Sequence, residues 1–151
     1  MAHTNRVRVV LGGLLAGVVI NLVEYVTNGV MLKADWASAM QALGKSPEIS
    51  GRMIAVFNVW GFLAGIVAVW IYAAIRPRYG AGPMTAARAG LVTWVLLIFL
   101  GNLTLSSLGI FPTRMLVIAG SVELVEMVIA TIVGASIYKE EQASAVRSAA
   151  A

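Results

Sequence analysis

Residues 7–32 read VRVVLGGLLAGVVINLVEYVTNGVML. The run is 26 residues long, and its only charged types are Arg8 near the start and Glu24 deep inside. A helix needs roughly 20 apolar residues to cross about 30 Å of hydrocarbon, so this stretch is long enough to span a bilayer. Three further segments have the same character, near 52–75, 84–107 and 114–138. The expected fold class is therefore all-α, a four-helix transmembrane bundle with up-down topology in one 151-residue domain.

Composition agrees. Hydrophobic residues make up 60% of the chain and charged ones 12%, about half the usual charged share of roughly 25%. The mean hydropathy is +0.87. A soluble domain of this size has too little interior to hide so much apolar surface. Proline marks the edges: Pro47, Pro83 and Pro112 each precede a span, and Pro77 follows the second. The first run has a basic start, but it is too long for the core of a signal peptide and lacks a small-residue cleavage site after it.

Lys and Arg set the expected orientation. Arg6, Arg8, Arg76, Arg78, Arg88, Lys139 and Arg147 lie on one side, against Lys33, Lys45, Arg52 and Arg114 on the other. Both termini are expected in the cytoplasm, with the chain multi-pass in a bacterial inner membrane. Between spans 1 and 2, Trp36, Ala39, Met40 and Leu43 recur at helical spacing, and Gly44 ends the pattern. This predicts a short amphipathic helix on the membrane surface, with Trp36 at headgroup level.

Glu24 needs a partner. On its helix Gly13, Gly17, Asn21, Glu24 and Asn28 share one face. In the fourth span Ala119, Glu123, Glu126, Ala130 and Gly134 show the same spacing reversed. Two antiparallel helices would match these level by level, with Asn28 against Ala119, Glu24 against Glu123, Asn21 against Glu126, Gly17 against Ala130 and Gly13 against Gly134. Glu24 lies nine residues before Lys33, and Glu123 nine after Arg114. Both are therefore roughly 13 Å from the same boundary. Asn58 on the second span and Asn102 on the third fall toward that same end, so the intramembrane polar residues are expected to crowd into one half of the bundle. The glycines and alanines of the other half are read as close helix packing.

No lysine or arginine lies among these acids. Bare carboxylates in hydrocarbon are costly, and grouped anions repel. Three arrangements satisfy the physics. The acids can be protonated and bonded to the asparagines, they can share a bound cation or protons, or they can face a water-filled pocket. The candidate ligand-binding set is thus Glu24, Glu123, Glu126, Asn21, Asn28, Asn58 and Asn102. The expected ligand is a small polar molecule, a cation or protons, and the site is expected to be transport-related in the sense that intramembrane acids mark ion pathways. The competing expectation is an accessory subunit of a larger membrane complex, with the acids as interhelical glue. A homodimer fits either.

Other classes fare poorly. There is no cysteine, and the single histidine, His3, is in the polar N-terminal tail, so no catalytic or metal residue is assigned and no cofactor is expected. Serines 106, 107, 121 and 136 have no candidate base except glutamates. The segments GLLAG and GFLAG sit inside apolar spans and lack the lysine of a phosphate loop. The basic residues flank apolar runs rather than forming a stripe, which argues against nucleic acid. Trp60, Trp70 and Trp94 are expected to pack or to anchor in lipid, the alternative being the wall of a pigment or quinone pocket. NLVEYV in span 1 and ELVEMV in span 4 hint at a repeat, although apolar segments share a small alphabet.

The segment LKADWASAMQALG, residues 32–44, resembles the tryptophan-centred connection of small four-span bacterial membrane proteins of unknown function. The resemblance covers about a third of the chain. YVTNGV stands where that group carries an aromatic-Ser-Pro stretch. It implies the four-span layout and no activity.

Overall fold

The computed structural model describes residues 4–139; His3 and Arg147 lie outside them. Every regular element among them is helical: α1 (Arg6–Glu24), a π-helical stretch (Tyr25–Met31), α2 (Lys33–Ala42), α3 (Gly51–Tyr79), α4 (Pro83–Trp94), a second π-helical stretch (Val95–Phe99), α5 (Leu100–Ser107) and α6 (Thr113–Ser136). Four continuous helices result, Arg6–Met31, Gly51–Tyr79, Pro83–Ser107 and Thr113–Ser136, all long and apolar enough to cross a membrane. The chain is a multi-pass helical membrane protein.

Local chemistry sets the boundaries. The Asn5 side chain accepts from the Arg8 amide at 3.0 Å and Ser50 accepts from the Met53 amide at 3.3 Å, each capping a helix start. Pro83 begins α4, where a missing N–H is harmless. The second helix runs past the expected end at 75, because Pro77 sits in its last turns, where one lost hydrogen bond is tolerated. Gly80, at φ +81°, then turns the chain out, and its amide donates to the Arg76 carbonyl at 2.9 Å.

Span 1 packs against spans 2 and 4, span 3 against spans 2 and 4, and spans 2 and 4 also meet across the middle. Contacts run antiparallel: Gly12 faces Gly134, and Gly13 and Gly17 face Ile66 and Phe62. The half of the bundle nearer the termini is dense. Ala16, Ile20, Ala64, Ala68, Val69, Ile98, Met127 and Ala130 pack together, and glycine allows backbone-to-backbone approach. A β-carbon on Gly12 would lie 2.5 Å from the Gly134 carbonyl oxygen.

The other half, nearer α2, is loose. None of the first ten residues of α3 is buried, and none in α5. Here only spans 1 and 4 hold a small core of Leu32, Met115 and Ala119, onto which Trp36 and Phe111 fold. The two rings meet edge-on at 5.3 Å between centroids.

The expected seam between spans 1 and 4 needs a correction. The Glu24–Glu123 level holds, but Gly13, Gly17 and Asn21 face span 2 instead of span 4, and it is Gly12 and Ala16 that meet Gly134. Span 1 is wedged between two neighbours, and successive residues point about 100° apart. Gly12 and Gly13 therefore serve different partners. Beyond Glu24 the π-helical stretch, closed by the Leu32 amide donating to the Thr27 carbonyl at 2.8 Å, adds a residue to the turn and rotates everything after it.

Candidate functional site

Glu24 ends α1 and is half-buried. Asn28, one turn on, donates its amide N–H to Glu24 Oε2 at 2.5 Å. The Trp36 indole N–H donates to Asn28 Oδ1 at 2.9 Å. This fixes the orientation of the amide, with its nitrogen toward the acid and its oxygen toward the indole. On the far side Glu24 meets Glu123 of α6 within hydrogen-bonding reach. Two carboxylates offer no donor, so a bond between them requires a shared proton. The result is a row from the surface inward: Trp36, Asn28, Glu24, Glu123.

Glu126 lies one turn beyond Glu123 on the same helix, close enough to feel the charge of both other acids. It is 3% exposed, and neither carboxyl oxygen has a hydrogen-bond partner among the described residues. Oε2 of Glu123 is likewise buried and unpartnered. No ion pair among the described residues reaches the three acids. Arg114 instead pairs with Asp35 at 3.4 Å, on the exposed end. An exposed pair like this contributes at most about 1 kcal/mol, but it ties α2 to the start of α6 beside the Trp36 bond.

The other sequence candidates go elsewhere. Asn21 donates to the Gly17 carbonyl at 2.8 Å and to the Asn58 carbonyl at 3.2 Å, so it pins span 1 to span 2 and is not bonded to Glu126. Asn58 is exposed and donates to the Ile54 carbonyl of its own helix at 2.8 Å. Asn102 lines a separate cavity between spans 3 and 4, whose walls include none of the three acids. The structure thus brings Glu24, Asn28, Glu123 and Glu126 together and leaves Asn21, Asn58 and Asn102 apart. Trp36 is the member that sequence reasoning missed. Its spacing suggested a membrane anchor, while its indole N–H turns inward to the amide.

No three acidic, histidine or cysteine side chains among the described residues are arranged to hold a metal ion. Glu24 and Glu123 meet as a pair, and Glu126 sits one turn further along α6. Such a row can pass or store protons, each carboxyl being donor in one state and acceptor in the other.

Trp36→Phe keeps the ring and removes the donor. It should cost about 1 kcal/mol locally and lower hydrogen-exchange protection across α2, with the four spans unchanged. Unaltered protection in α2 would mean that the indole bond does not hold this helix. No family model matches the chain, and neither a curated protein nor a solved structure does.

Proposed function

We propose that this is a non-enzymatic integral membrane protein that takes up protons at the Glu24–Glu123–Glu126 row, with Asn28 as its polar companion. The observation that carries this reading is the Glu126 carboxyl, buried in the middle of a span without a partner. A group of that kind is costly to bury and does not act as hydrogen-bonded glue. Protons suit it better than a chelated cation because no three ligating side chains among the described residues are arranged to hold one. By the Lys/Arg bias both termini are cytoplasmic, the spans cross up and down, and α2 lies on the outer surface of a bacterial inner membrane. The row then opens outward, as in a transporter or a sensor of external acidity.

A second reading has its own support. The exposed apolar halves of α3 and α5 suit a subunit that packs against another membrane protein or a second copy. The two readings differ in what the acids do.

Infrared difference spectra of purified protein in micelles, taken across a pH titration, separate them. A protonated-carboxyl band that titrates in wild type and disappears in Glu126→Gln supports proton uptake, with Glu48→Gln as a surface control. A band that never titrates, or one untouched by Glu126→Gln, favours the subunit.

A further inference from the structure

The cavity that Asn102 faces has a volume of about 290 Å³ and opens sideways between spans 3 and 4. A bend makes it. The π-helical turn Val95–Phe99 interrupts span 3, and beyond it α5 buries no residue against its neighbours. Such turns recur at ligand sites. The inner wall is fixed, since the Trp94 indole N–H donates to the Gly120 carbonyl at 2.9 Å. Phe99 lies beside it, 5.3 Å between ring centroids. At the rim the hydroxyls of Ser106 and Thr113 are 3.5 Å apart.

Between wall and rim stands Asn102. Its amide makes no hydrogen bond to any described residue, although it lies inside a span. Hydrocarbon chains of lipid can fill the cavity but leave that amide unsatisfied, which costs free energy. The residue opposite is Gly120, whose missing side chain leaves room beside the amide. A β-carbon there would meet only Asn102 Nδ2, at 3.1 Å.

We infer that this cavity binds a lipid-soluble, single-ring dicarbonyl compound of the quinone type. The aromatic wall takes the flat face of the ring. One ring carbonyl accepts from the Asn102 amide and the opposite one from the hydroxyls at the rim. Asn102 and Ser106 are four residues apart on one helix face, about 6 Å along the axis, so a single ring lying along that face reaches both. Exposed Phe99, Leu103 and Val117 flank the mouth, so the ligand enters from the bilayer. This site is independent of the carboxylate row.

The test uses a short-chain benzoquinone titrated into the whole protein in lipid nanodiscs, read by tryptophan quenching. Saturable quenching is expected in wild type, lost in Trp94→Phe and kept in Trp70→Phe. Gly120→Ala, which crowds the amide but leaves the helix intact, and Asn102→Leu, which removes it, should each weaken binding about tenfold, the loss of one good hydrogen bond. Unsaturable quenching, or equal affinity in both variants and wild type, would overturn the assignment and leave a lipid-filled groove.

Discussion

Gly65→Ala should be among the most damaging single-methyl changes in this protein, destabilising it by about 3 kcal/mol, the upper part of the usual range for overpacking. A β-carbon at this position would overlap the Gly13 carbonyl oxygen and lie 2.6 Å from the Gly17 backbone nitrogen. Both obstacles are backbone, so neither can rotate aside. Spans 1 and 2 would have to separate along the dense half of the bundle. Gly101→Ala is the matched control. It is also in a membrane helix, but a β-carbon there meets nothing within 4 Å, and the change should be neutral or stabilising by up to about 1 kcal/mol. Unfolding by denaturing detergent measures both. Equal effects would show that the seam is not as close as the structure makes it.

Glu126→Leu should have the opposite sign and stabilise the fold. Leucine is similar in size and leaves no polar atom in the interior. Removing an acceptor that is buried and unsatisfied recovers about 1–3 kcal/mol, and it relieves the repulsion with Glu24 and Glu123. The same detergent titration reads it. If Glu126 were a hydrogen-bonded staple, the leucine variant would unfold more easily, and the proton-uptake reading would lose its main support. A gain in stability with loss of the titrating infrared band would mark a group kept for function at a cost to the fold.

Much of this was legible in the residues. Hydropathy located all four spans, and spacing paired Glu24 with Glu123, because both depend on periodicities that a straight helix preserves. Asn21 shows where that logic stops. It shares a stripe with Glu24, yet span 1 has two neighbours, and a one-dimensional pattern does not say which of them takes each residue. The π-helical turns were not legible as such. VLLIF carries no turn residue, and the Asn28–Gly29 pair in YVTNGV signals a break without its kind, yet the first stretch carries the Asn28 that Trp36 bonds and the second borders the cavity beside Asn102. The periodicity of residues 36–43 correctly gave a helix, but amphipathicity does not reveal which surface its apolar side touches.

The contrast between the two halves of the bundle has a mechanical meaning. Where Gly12 and Gly134 press main chain on main chain, spans 1 and 4 leave no room even for a β-carbon. If the acidic row takes up protons as proposed, that contact closes it at the bottom: a proton that enters past α2 leaves the same way, unless the glycines are prised apart. The most tightly built stretch of the molecule would then also be its gate.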